Sequence, residues 1–412
     1  MLSVPGGRVV VATGRTLAPL VAAGGYEHVE LILGSGSNGG VRPADTDTEL
    51  NGFIAATHQG MIATLRYQAE RRAHDLLWEP QSVAEQLRNV VATVVPDTVL
   101  VDQLAFGATA VLRGLRVPFL SFLPGHPCQL PGQGETFGYP ELRPPEFYAP
   151  TADLLSLREL CTSVAMAFTA AYNAVTTSLD PAAPPLDDAF AAGGTLGTLI
   201  NYPWQFGAHP RRLPHARFLG SCIRTGAPEP YFEHLACKQR AQPRAYVSLG
   251  SFLSARTDVL LRIADAIRIL GWDAVIAAGA TDPQRLGPLP SNWVVEEHLP
   301  QVAALEVCDI VVCHGGNNTV TEALTAGLPV LAAPFSTDQF AGAEDLRRAG
   351  LGDAIDPNAA TTDEVAAGLL SLLDADAAGR AAALGAELRR APGAEYAADV
   401  LETAAAEPAV AG

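Results

Sequence analysis

Cations are scarce in this 412-residue chain: 27 Lys and Arg stand against 44 Asp and Glu, a formal net charge of −17. A surface of that sign repels phosphate backbones and anionic bilayers, which excludes nucleic acid and membrane surface as broad partners. A small anion can still be held locally, at a helix N-terminus or by one or two placed side chains. Cysteine is sparse too. Cys128, Cys161, Cys222, Cys237, Cys308 and Cys313 form no C-x-x-C pair, which argues against a zinc site or a disulfide framework and fits a reducing cytoplasm. No apolar run reads as long enough to span a membrane, and Met1-Leu2-Ser3-Val4-Pro5 carries no basic leader ahead of an apolar core. No G-x-G-x-x-G follows the first strand pattern, so a dinucleotide-dependent oxidoreductase is poorly supported. Short-period repeats are also missing.

What is present is a globular composition, 48% hydrophobic and 17% charged, in a chain long enough for two cores. Strand and helix patterns alternate throughout, which predicts an α/β fold of parallel sheets with ligands at the carboxyl ends of the strands. In the first half, Arg8–Ala12, Val29–Leu33, Thr98–Asp102 and Val117–Phe122 read as strands. Asn51–Arg72, Ser82–Ala92 and Ala152–Ala174 read as helices. Gly34–Gly40 reads as a glycine-rich loop, and Pro124–Pro150, dense in Pro and Gly, as a functional loop or lid. The expected division is residues 1–215, residues 216–395 and a C-terminal tail, 396–412.

The most informative stretch is Cys313-His314-Gly315-Gly316-Asn317-Asn318-Thr319-Val320-Thr321-Glu322. It follows the apolar Asp309–Val312 and precedes Ala323–Gly327, so a strand should run into a glycine-rich turn and then a helix ending on a glycine cap. Such a turn brings backbone N–H groups and a partial positive charge against a phosphate. Ser248, Gly250 and Ser251 close an earlier strand in the same manner. The plainer alternatives are tight strand–helix packing at these turns, and a helix cap at Asp338-Gln339.

The run Pro300-Gln301, His314 to Glu322, Gly327-Leu328-Pro329 and Pro334-Phe335-Ser336-Thr337-Asp338-Gln339 resembles, in order and spacing, the donor-binding domain of GT-B nucleotide-sugar glycosyltransferases of the UDP-glycosyltransferase-like, natural-product and antibiotic group. The resemblance implies two Rossmann-like β/α/β domains facing across a cleft: an acceptor-binding first half and a donor-binding second half. It implies that His314, Gly316, Asn317, Asn318 and Thr319, with Ser248, Gly250 and Ser251, hold the donor diphosphate. Glu322 would bind the ribose, Asp338 and Gln339 the sugar hydroxyls, and Gln301 with the backbone near His298 and Leu299 would frame the base. The nucleotide sugar, with UDP or dTDP, is then a co-substrate; no cofactor and no metal are implied. No Asp-x-Asp stands at a donor-site strand end, since Asp45-x-Asp47 lies in a polar loop of the first half.

Inverting members carry a Gly-His pair after the first strand, whose histidine is the general base. Here Gly14 is followed by Arg15, which stays charged and cannot act as one. Asp102 and His126 are therefore the candidate catalytic groups, and Arg15 a candidate for a phosphate or an acceptor carboxylate. A retaining or inactive protein stays open. The expected activity is hexosyl transfer to a small natural-product acceptor, by an inverting route. Rival readings are a catalytically inactive GT-B auxiliary protein, a lipid-II-type cell-wall glycosyltransferase and a nucleotide-sugar epimerase. A homodimer is compatible with all of them.

Overall fold

The computed structural model describes residues 7–34, 48–75, 77–206, 212–223, 229–230, 232, 235 and 240–406. The loop 35–40, Asp45-x-Asp47 and Cys237 lie outside the described residues.

Every described strand pairing is parallel, as the alternation of strands and helices predicts. The first half holds a two-stranded pair, β1 (Val10–Thr13) with β2 (Glu27–Glu30), and a four-stranded sheet. The strands of that sheet run in order: β3 (Leu100–Asp102), β4 (Leu120–Leu123), β5 (Thr198–Ile200) and β6 (Ala216–Phe218). The helix read over Asn51–Arg72 is two helices, Thr48–His58 and Met61–Asp75, broken at Gly60, whose φ is +95°. Pro124–Pro150 contains only two 3-10 turns, in keeping with its expected irregularity.

The second half is one six-stranded sheet. It comprises β7 (Arg244–Ser248), β8 (Asp273–Ala277), β9 (Trp293–Glu296), β10 (Ile310–Cys313), β11 (Val330–Ala332) and β12 (Gly352–Ala354). Its spatial order is β9-β8-β7-β10-β11-β12. That is the doubly wound arrangement, with the chain reversing direction across the sheet between β7 and β10. The central strands β7, β10 and β11 are buried at every residue, as strands covered by helices on both faces must be.

Two boundaries differ from the sequence reading. β6 hydrogen-bonds to β5, so the first sheet runs on to Phe218, past the expected break at 215. Residues 396–406 belong to a helix, Gly393–Ala406, and not to a tail. Ala397 and Val400 of that helix pack on Leu199, Leu219, Leu100 and Phe122, so the chain crosses back onto the first sheet. A third difference concerns Thr151–Leu179. Its 29 residues are apolar enough by length and composition to cross a membrane, though the sequence reading found no such run. Its Leu157, Cys161, Val164, Phe168 and Tyr172 are buried, and it packs against helices Met61–Asp75 and Phe106–Gly114.

Two polar clusters tie the halves together. On one side Arg256, 1% exposed, bridges the carboxylate of Asp258, the Thr57 hydroxyl (3.2 Å) and Asn358 Oδ1 (2.7 Å). Asn358 in turn donates to the Thr57 carbonyl. On the other side Asp345 of helix Thr337–Ala349 accepts from His126 Nε2 (3.0 Å) and from the Tyr202 hydroxyl (2.6 Å). Both partners belong to the first half.

Candidate functional site

The carboxyl ends of β7 and β10 meet at the reversal point of the second sheet, where open α/β sheets bind ligands. β7 ends at Ser248, and the chain turns through Gly250 at φ +75°. β10 ends at Cys313, followed by His314 and Gly315, the latter at φ +79°. A β-carbon on Gly250 would lie 2.8 Å from the His314 ring, and one on Gly316 only 2.2 Å. Glycine at both positions is therefore what lets the imidazole sit between two backbones. Helix Asn317–Ala326 begins on Gly316 with no side-chain cap, and ends on Gly327 in the left-handed conformation, as the sequence predicts. Its first N–H groups are unclaimed by any side-chain cap, next to an imidazole whose Nδ1 has no hydrogen-bond partner.

Burial drives the His314 pKa from 6.5 down to about 4, against the opposing pull of Asp338 and of the Ser248 backbone. At neutral pH the ring is thus uncharged and can still donate one hydrogen bond. The same shift has a consequence for stability. An unfolded histidine takes up its proton near 6.5 and the folded one only near 4. Unfolding therefore binds a proton in that window, and stability falls as the pH drops through it. At 1.36 kcal/mol per unit, the loss is about 3 kcal/mol. Urea midpoints measured between pH 7 and 4 should be distinctly flatter for His314→Gln than for the natural protein; parallel curves would remove this account.

The remaining donor-site candidates divide. Gln301, Thr319 and Glu322 form one network: Gln301 Nε2 donates to Glu322 (2.5 Å) and Thr319 (3.4 Å), and its Oε1 accepts from Tyr246 (3.0 Å). Asn318 is exposed at the helix start. Ser248 is buried and its hydroxyl accepts from Gly250 N–H, while Ser251 is exposed. Ser251, His314 and Gln339 line an open cleft of about 430 Å³ with Phe53, Tyr67 and Arg71 of the first half. Gln339 also does the capping work weighed for it: its Oε1 accepts from Ser336 N–H in a capping box. Asp338 faces a second, smaller cavity of about 160 Å³ shared with Arg72 and Leu104.

Five candidates go elsewhere. Asn317 donates to the Pro124 and Asn201 carbonyls, both at 2.7 Å, so it joins the two halves and does not point at a phosphate. His298 is exposed beside Glu297, 3.5 Å away, and Leu299 is packed on the core. His126 cannot serve as the base: its Nδ1 accepts from Cys128 N–H and its Nε2 donates to Asp345, leaving no lone pair for a substrate proton. Arg15 is 81% exposed and forks onto Glu30, so it reaches neither phosphate nor acceptor. Asp102, exposed at the end of β3, remains. The bulk around it raises its pKa, while a hydrogen bond from Leu104 N–H (2.8 Å) pulls the other way. Sequence reasoning missed Arg72, Tyr202 and Asp345, because their partners come from distant parts of the chain and no local motif marks them.

Comparison with known proteins shows the family and the fold. The family described as UDP-glucoronosyl and UDP-glucosyl transferase matches residues 84–380. Oleandomycin glycosyltransferase of Streptomyces antibioticus is 30% identical over 224 residues, 50% of this chain and 51% of that one. The chain spans about half the length, or less, of the first curated relatives it matches. Among solved structures, the glycosyltransferase of kitacinnamycin superposes with a TM-score of 0.68 at 24% identity, over 97% of this chain and 92% of that one. The Streptomyces sp. SF2575 glycosyltransferase SsfS6, complexed with thymidine diphosphate, superposes with a TM-score of 0.57 at 17% identity, over 97% and 92%. The fold is GT-B, two Rossmann-like α/β domains. The chain belongs to the UDP-glucoronosyl and UDP-glucosyl transferase family.

Proposed function

We propose that the protein transfers a sugar from a nucleoside diphosphate donor, UDP- or dTDP-linked, to a small natural-product acceptor, with inversion and without a metal. One observation carries this reading: a neutral imidazole and a bare helix N-terminus converge at the reversal point of the second sheet. These donors would meet the negative charge that grows on the leaving diphosphate. Family membership, a relative named for oleandomycin and a neighbour holding thymidine diphosphate support the donor class and the kind of acceptor.

In this mechanism Asp102 takes the proton from the acceptor hydroxyl, whose oxygen attacks the anomeric carbon from the face opposite the diphosphate. The bond between that carbon and the phosphate oxygen breaks, and its electron pair leaves with the diphosphate. A carboxylate with a raised pKa is a stronger base than an ordinary one and suits this role. We also assign the protein to the cytoplasm, since Cys128, Cys161, Cys222, Cys308 and Cys313 are free thiols.

Thermal unfolding with UDP, dTDP, GDP or ADP in EDTA tests the donor assignment. A nucleotide at a hundredfold its Kd adds about 2.7 kcal/mol. UDP or dTDP should shift the melting temperature, and His314→Ala should abolish the shift. If no nucleotide stabilises the natural protein, the donor site is misassigned. The coupling constant of the product's anomeric proton reports inversion or retention.

A further inference from the structure

The 160 Å³ cavity between the halves carries a feature that donor binding leaves unexplained. Arg72, on helix Met61–Asp75, lines it, and forms no hydrogen bond and no ion pair among the described residues. Burial pulls its pKa down, against the opposing charge effects of Cys161, Asp338 and Cys128. Its guanidinium carbon lies over the Phe137 ring, 4.8 Å from the centroid. The side chain is half-buried, and the contact with the ring leaves its N–H groups without an acceptor among the described residues. Gly138, at φ +82°, passes close to the guanidinium: a β-carbon there would stand 2.4 Å from Arg72 Nη1.

The walls around this cation are aromatic. Phe137 stacks on Phe190 at 4.0 Å and 3°, and Phe106 meets Phe137 edge-on at 6.4 Å. Leu104, Tyr139 and Cys128 add to the lining, together with the polar Gln129. A dry cavity of about 150 Å³ holds one benzene ring, so this one is sized for a single ring with small substituents. Asp338 opens into the same space without closing an ion pair onto Arg72. Leu104, two residues beyond Asp102, lines it too. The cavity is therefore bordered by the carboxylate assigned to the sugar and by the turn that follows the carboxylate assigned as base.

We propose that this cavity is the acceptor subsite and that it takes an aromatic acid, whose carboxylate forks onto Arg72 while its ring packs among Leu104, Phe106 and Tyr139. The proposal deepens the transferase reading and rests on it for the term acceptor. The anion chemistry stands without it. A charge-assisted pair of this kind contributes about 1.5–3 kcal/mol, equivalent to a preference of about ten- to a hundredfold over a neutral analogue.

The test compares 4-hydroxybenzoate with methyl 4-hydroxybenzoate by isothermal titration of the natural protein, with and without saturating dTDP. The acid should bind at least tenfold more tightly than the ester. Arg72→Met should erase that preference, Arg72→Lys should keep part of it, and both should leave dTDP affinity unchanged. Equal binding of acid and ester, or binding of neither, overturns the proposal, and this arm needs no variant to fold. A parallel titration with UDP-glucuronate and UDP-glucose separates the other source of a carboxylate. If Arg72→Met weakens only UDP-glucuronate, the anion belongs to the donor and the acceptor assignment is wrong. If no nucleotide binds but the acid does, the transferase reading fails while the anion site stands.

Discussion

Asp102→Asn should lower kcat by about 10²–10⁴, the usual worth of a general base, and leave the affinity for UDP or dTDP unchanged. The amide can keep the hydrogen bond from Leu104 N–H, so the turn after β3 is preserved while the proton acceptor is lost. The pH profile supplies the second readout. The Asp102 pKa is raised, so in the natural protein kcat should climb with pH and level off above that raised value. The variant should lose that limb. Stability moves in the opposite sense. A raised folded pKa means the folded state disfavours the charged form, so stability is lost as the pH rises past the ordinary carboxylate value. A neutral amide escapes this, and Asp102→Asn should be no less stable than the natural protein at pH 7. A kcat within fivefold of the original, measured with any acceptor that turns over, would move the base elsewhere.

Asp345→Ala should cost about 3–5 kcal/mol, the range for breaking a buried polar pair by removing one partner. Asp345 is 5% exposed and accepts from two first-half groups, His126 and Tyr202, whose rings meet edge-on at 4.9 Å. Without the carboxylate, the Tyr202 hydroxyl and the His126 Nε2–H lose the acceptor that joins them to the second half. Asp345→Asn keeps one acceptor oxygen and should fall between the two. The measurement is the first urea transition at pH 7. A loss below about 1 kcal/mol for the alanine variant would mean that this contact does not hold the halves together.

How much of this was readable in the sequence follows the range of the interactions. The turn around His314 is local: strand, glycines and helix start lie within about a dozen consecutive residues, and all three formed where the pattern put them. The parallel second sheet followed from the alternation of apolar runs and helical stretches. Asn317 sits inside the same motif, yet it turns to carbonyls of residues 124 and 201, which no spacing rule connects to it. His126 failed as a base for the same reason, since its partner lies on a helix of the other half. Arg15 stands where the family resemblance looks for a base, but its fork onto Glu30 lies along the parallel pairing of β1 with β2. Arg72 was one arginine among many on an amphipathic helix until the aromatic cluster was assembled around it.

The helix Gly393–Ala406 has a consequence for how the chain comes to be folded. It supplies Ala397 and Val400 to the apolar face made by Leu100, Phe122, Leu199 and Leu219. A ribosome adding about 5–20 residues per second completes that face many seconds before it delivers the cover. Through that interval the nascent first half displays a sticky sheet face that only the far end of the second half can occupy. Folding of the first unit is thereby made conditional on translation having passed residue 400, and the waiting face is a natural landing place for a chaperone.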